Sequence, residues 1–182
     1  MKHTLVALVR DEPGVLNRVS SMFRRRGFNI TSLAVGQSEQ PGLSRMTFVV
    51  DGDSAIVEQV TKQMNKLIDV IRVADISSEQ VVAREMALIK VRAAAQTRSE
   101  IIQIVDIFRA NIVDVAYDSL IIEVTGDEDK IESLLVLLRS FGVREVMRTG
   151  RVAMTRGALT PQGLDQGRDG GNGARIAPDS NP

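Results

Sequence analysis

Asp11-Glu12-Pro13-Gly14-Val15-Leu16 closes a short apolar run, Thr4 to Arg10, and opens an amphipathic one in which Val15, Leu16, Val19, Met22 and Phe23 recur at the spacing of one helix face. The hexapeptide therefore reads as a strand-to-helix turn. Pro13 suits the first helical turn, where its fixed φ matches the helix and its missing N–H would have had no partner. Gly14 lets a ligand approach the backbone. The first amides of a helix point outward at its positive dipole end, so a carboxylate can rest on them without help from lysine or arginine. About one helix later comes Gly27-Phe28-Asn29-Ile30, where Gly27 ends the helix and Asn29 offers an amide at the start of the next strand. An amide both donates and accepts, so it can serve either charged end of a free amino acid. The same residues also have a plainer reading, a capped turn and a strand-start amide that satisfies backbone.

Outward from this turn the pattern continues. Phe28 to Ser38 and Leu43 to Val50 are extended runs separated by Glu39-Gln40-Pro41-Gly42, a hairpin signal. Asp51-Gly52-Asp53-Ser54 supplies turn and cap residues, Ile56, Val57, Val60, Met64 and Leu67 form a second helical stripe, and Val70 to Ile76 is a last strand. The order is βαββαβ. After a junction at Ser77-Ser78-Glu79-Gln80 it recurs: strand Met86 to Arg92, helix face Ile101, Ile102, Ile104, Val105 and Phe108, strands Ile112 to Ala116 and Ser119 to Thr125, a helix opened by Asp127 to Asp129 with the stripe Ile131, Leu134, Leu135 and Leu138, and strand Val143 to Met147.

The predicted fold class is α+β: two ferredoxin-like βαββαβ units, 1–78 and 79–157, each an antiparallel sheet with both helices on one face because right-handed crossovers put them there. The other face of each sheet is left bare. Leu33, Val35, Met46, Phe48 and Val50 are expected to place apolar groups on both sides of the first sheet, so either the other half or a second copy must cover it. A homodimer is expected. From Leu159 onward Gly, Pro, Asp, Asn and Arg dominate, and 158–182 reads as a disordered tail.

Composition narrows the functional classes. The 182 residues are 43% apolar and hold 23 basic against 23 acidic side chains, so there is no overall field to attract a polyanion. Nucleic acid is not expected as a partner, and with 3% aromatic residues the chain lacks the sheet aromatics on which RNA-recognition domains stack bases. Cysteine is absent, which removes disulfides and thiolate chemistry and suits a reducing, cytoplasmic setting. No run approaches the roughly 20 apolar residues of a membrane span, and the first residues lead directly into a strand with no signal-sequence pattern. His3, the only histidine, has no imidazole partners for a metal and no cysteine for a catalytic pair, and reads as structural. Arg24-Arg25-Arg26 has a nucleic-acid reading and a helix-end reading, of which the second fits the dipole better. Asp127, Glu128 and Asp129 read as a helix first turn, with cation binding as the alternative. No catalytic or metal-binding set is assembled, and the chain reads as a non-enzyme.

The segments Asp11 to Arg18, Arg25 to Leu33 and Ser44-Arg45-Met46-Thr47 resemble the ACT domain of the small regulatory subunit of acetolactate synthase, also called acetohydroxyacid synthase. Lys66 to Val73, the Arg84-Glu85 pair ahead of a strand with Lys90, and Val152 to Gly157 extend the likeness over Met1 to Gly157. The resemblance implies an ACT domain over 1–78, a C-terminal ferredoxin-like domain over 79–157, and a homodimer without chemistry of its own that binds a separate catalytic subunit. Thiamine diphosphate, Mg and FAD are expected in that catalytic partner and no cofactor in this chain. The pair would form acetolactate on the way to valine, leucine and isoleucine, with this chain raising activity and carrying feedback inhibition, usually by valine. Carried over residue by residue, the effector site comprises Asp11, Gly14, Val15 and Leu16 from one protomer and Asn29 and Ile30 from the other. Asp11 departs from relatives with asparagine there, and its carboxylate attracts a ligand ammonium while repelling a carboxylate. Ser44 and Arg45 are sheet-edge residues or part of the catalytic-subunit contact. A free-standing ACT-domain sensor acting on another enzyme or a transcription factor is the alternative.

Overall fold

The computed structural model describes residues 1–157, so the tail expected over 158–182 lies outside the described residues. Two βαββαβ units are present. The first runs β1 (Lys2–Arg10), α1 (Val15–Arg26), β2 (Ile30–Gln37), β3 (Leu43–Asp51), α2 (Ser54–Met64) and β4 (Val70–Asp75), with sheet order β2-β3-β1-β4 and every pairing antiparallel. The second runs β5 (Val81–Arg92), α3 (Arg98–Ile107), β6 (Asn111–Val115), β7 (Ser119–Gly126), α4 (Glu128–Leu138) and β8 (Val143–Arg148), in the equivalent order β6-β7-β5-β8. A ninth strand, β9 (Val152–Thr155), pairs with the first residues of β5.

Local chemistry accounts for the element ends. Asp53 and Asp127 cap α2 and α4 by accepting the amides of Ile56 and Lys130, each at 2.9 Å. Gly27 stops α1 in the left-handed region at φ 69°, and Arg24, Arg25 and Arg26 lie in the last turn, where the dipole favours cations. Helix α1 begins at Val15, so Pro13, expected in the first helical turn, lies ahead of it: Gly14 at φ 86° cannot be helical. Leu16 and Ile102, expected on the apolar stripes, are 46% and 38% exposed because they fall a third of a turn off the buried line.

Each unit has its own core. In the first, Leu5, Ala7 and Val9 of β1 and Met46, Phe48 and Val50 of β3 meet Val19, Met22 and Phe23 of α1 and Val57, Val60 and Met64 of α2. The Phe23 and Phe48 rings stack at 5.5 Å. Register corrects one expectation. Leu33 pairs with Phe48 and Val35 with Met46, so the five residues read as two-sided all belong to the helix face, and an irregularity between Ile30 and Ser32 sets that phase. The outer face is instead made by Val6, Thr47, Val49 and Ala74.

That outer face is covered by the second half. β5 begins at Val81, five residues earlier than predicted, and this extension pairs Val81–Arg84 with β9 to form a two-stranded ribbon. Val81 and Ala153 pack on Val6, Ala74 and Ile76, which are 2%, 6% and 1% exposed. Ile76→Ala is therefore expected to cost about 2–4 kcal/mol, read as a fall in denaturation midpoint, and to speed protease cleavage within 77–80. Cleavage unchanged would mean that the ribbon does not depend on this contact.

Candidate effector site

The β1–α1 turn is held open toward solvent and braced from behind. Arg10 N–H donates to the Asp69 carbonyl at 2.9 Å and Asp11 N–H to the Gly42 carbonyl at 2.8 Å, which fixes the turn between the starts of β4 and β3. Arg18 forms an ion pair through Nε with the carboxylate of Asp69, a residue only 5% exposed, so the helix start is tied to β4 by a largely buried acid. Neither Arg18 nor Asp69 is marked by the sequence pattern, because the pairing spans 51 positions.

Within the turn, the amide of Val15 is used by the Glu12 carbonyl at 3.3 Å, and that of Arg18 by Gly14 at 3.0 Å. The amides of Leu16 and Asn17 make no hydrogen bond among the described residues, and α1 has no side-chain cap. Two donors at a positive helix end therefore face solvent, the arrangement that accepts a carboxylate. Leu16 stands beside them, half exposed, as an apolar wall. Asp11 is also exposed, while the Val15 side chain is buried in the first core and has only backbone to offer.

Asn29 and Ile30 sit elsewhere. Ile30 pairs with Val50, which pairs with His3, whereas the turn follows Arg10, seven residues along β1. At ~3.3 Å per residue the two groups are about 23 Å apart in one chain. The structure thus gathers Asp11, Gly14, Val15 and Leu16 at one end of the sheet and Asn29 and Ile30 at the other. Asn29 is exposed with no hydrogen bond among the described residues, and Ile30 packs partly on the first core. β2 is an edge of its sheet.

A few residues beyond Asn29, the outer side of β2 meets the second half. Arg151 N–H donates to Ser32 Oγ at 2.8 Å, and its guanidinium reaches Glu128 at 2.8 Å and Thr4 Oγ1 at 3.4 Å. Lys2 pairs with the same Glu128, whose pKa it lowers chiefly through that hydrogen bond, aided by the charge of Arg151. Arg148 grips Glu85 with two nitrogens at 2.7 and 2.8 Å and Glu132 with a third at 3.2 Å, and these carboxylates raise its pKa further. The cavity here, about 360 Å³, is lined by cations that already have carboxylate partners, so it reads as a polar junction between the halves. At the start of α4, Asp127 is thus a cap and Glu128 an ion-pair centre. His3 has Nδ1 3.6 Å from the Asp75 carboxylate.

Residues 5–72 match the family described as the AHAS small subunit-like ACT domain, and residues 84–157 match the small subunit of acetolactate synthase. The probable acetolactate synthase small subunit of Archaeoglobus fulgidus is 57% identical over 157 residues, 86% of this chain and 98% of that one. The acetolactate synthase small subunit of Mycolicibacterium smegmatis is 54% identical over 162 residues, 89% and 94% of the two chains. Among solved structures, the acetolactate synthase small subunit of Thermotoga maritima superposes with a TM-score of 0.81 at 45% identity, covering 87% of this chain and 99% of that one.

Gly150 is the tightest point of the junction. It has φ 83°, and a Cβ there would lie 2.9 Å from Ser32 Oγ and 3.0 Å from the Leu33 carbonyl oxygen. Gly150→Ala is expected to destabilise the chain by about 1–3 kcal/mol through strain at that φ and displacement of β2, measured by chemical denaturation. A loss below about 0.5 kcal/mol would show that β2 yields freely at this point.

Proposed function

We propose that this chain, which belongs to the small-subunit family of acetolactate synthase, is the non-catalytic regulatory subunit of a cytoplasmic acetolactate synthase. It binds the catalytic large subunit, raises its activity, and conveys feedback inhibition by valine in branched-chain amino acid synthesis. The observation that carries the reading is the division of the candidate site between opposite ends of one sheet. Two copies related by a two-fold axis, with their β2 edges together, bring the turn of one to the strand start of the other. A zwitterion then finds helix amides for its carboxylate, Asn29 and Asp11 for its polar ends, and Leu16 for a branched side chain. Asp11 favours the orientation in which the ammonium lies on its side of the pocket.

The magnitudes suit a metabolite sensor. So small a ligand binds in the micromolar to millimolar range, roughly −8 to −4 kcal/mol. A coupling of about 1–3 kcal/mol changes partner activity several-fold if valine favours one geometry of the complex. Asn29→Ala should raise the valine concentration for half-inhibition by about tenfold, the loss of one hydrogen bond to a charged group, while leaving activation within about twofold. The check is acetolactate formation by the purified large subunit with this chain across a valine titration. Parallel loss of activation and valine response would make Asn29 an interface residue instead.

A further inference from the structure

The free amides are not the only donors at the β1–α1 turn. Arg18 stands one helical turn beyond Gly14, with its N–H on the Gly14 carbonyl at 3.0 Å. Side chains on a helix lean toward its N-terminus, so the Arg18 guanidinium lies back over the start of α1. Gly14 locates it: a Cβ built there would sit 3.5 Å from Arg18 Nη1 and 4.0 Å from Cζ. Nη1 therefore borders the turn, at the helix end where the amides of Leu16 and Asn17 make no hydrogen bond among the described residues.

By itself this is an unfavourable place for a cation, because the helix dipole is positive there and the first turn of α1 holds no acidic residue. Asp69 keeps it in place. Its carboxylate, 7% exposed, pairs with Arg18 Nε from the start of β4, while the arginine side chain stays 47% exposed. Nη1 and Nη2 have no hydrogen bond among the described residues.

Arg148 in the second unit shows what such a guanidinium does when a second acid is present. It holds Glu85 through Nε and Nη2 at 2.7 and 2.8 Å, and its Nη1 holds Glu132 at 3.2 Å. One arginine thus serves two carboxylates from separate nitrogens of its planar fork. At Arg18 the Nε side is filled by Asp69, and Nη1 faces the turn.

We infer that Arg18 is the carboxylate anchor of the effector site, its Nη1 joining the Leu16 and Asn17 amides around the α-carboxylate of a free amino acid. This deepens the proposed function and rests on it. It also settles the charge conflict set by the exposed Asp11: the ligand lies with its ammonium toward Asp11 and its carboxylate toward Arg18. Specificity follows from the same geometry. A fork fixed by a buried acid favours a charged carboxylate over an amide or ester, so the site takes free amino acids and rejects carboxyl-blocked ones.

The test titrates valine and valinamide, whose carboxylate is blocked, into the full chain and its Arg18→Lys variant by ligand-observed NMR, which reads millimolar affinities. Lysine can keep the pair with Asp69 but is a point charge without a second face to offer. Arg18→Lys should weaken valine at least about tenfold, the loss of a hydrogen bond between charged groups. Its affinity for valinamide should change by less than about twofold, with an unchanged thermal midpoint. If the lysine variant loses its midpoint, Arg18→Gln combined with Asp69→Asn, which replaces the ion pair by two amides, carries the same expectation. Valine affinity within about twofold of the unmodified chain, or an equal loss for valine and valinamide, overturns the assignment while leaving the proposed function standing. An unmodified chain that binds no valine fails the proposed function, and the role of Arg18 fails with it.

Discussion

Val6, Ala74 and Ile76 lie on the side of the first sheet turned away from its helices, and removing them from water requires another layer. β1 is apolar on both faces, with Leu5, Ala7 and Val9 toward the helices and Val6 and Leu8 away from them. The chain supplies the layer itself by starting β5 early and adding β9, so that Val81 and Ala153 close the gap. Most of the remaining architecture depends on this crossover. It fixes where the second unit sits, draws Gly150 and Arg151 onto β2, and brings Glu128 at the start of α4 between Lys2 and Arg151.

The crossover leaves two features of the first unit exposed: the edge of β2 and the turn before α1. A turn with unused amides at a helix start and an unpaired strand edge are each incomplete in one chain, and their separation along β1 means that neither can complete the other. Ser32 lies on the same strand as the proposed ligand contact at Ile30 and is bonded to Arg151 of the second unit. Displacement of β2 by a ligand would therefore be felt at the junction.

The fold was largely legible because its determinants are local. Period-2 and period-3.6 apolar patterns, the Asp53 and Asp127 caps and the Gly27 stop each act within a few residues. The misses are long-range. β9 and the first residues of β5 carry no strong strand signal and are ordered by pairing over some seventy positions, while the two-sided reading of Leu33 and Val35 failed because a one-residue irregularity in β2 sets the phase. At the candidate site, the glycine and the strand-to-helix turn could be read from the hexapeptide, though not the residue at which the helix begins. The Arg18–Asp69 brace could not, nor could the burial of Val15, since both follow from packing.

Mixing two damaged chains tests most directly whether the effector pocket is shared between copies. Leu16→Asp disables the turn and Asn29→Ala the strand start, and each alone is expected to bind valine poorly by calorimetry. When the two are co-expressed, a shared pocket gives mixed dimers in which one of the two sites combines an intact turn with an intact strand. Random pairing makes half of the dimers mixed, so about a quarter of the unmodified site number should return at full affinity. A mixture that binds no more valine than the separate variants would contradict a pocket built from two copies.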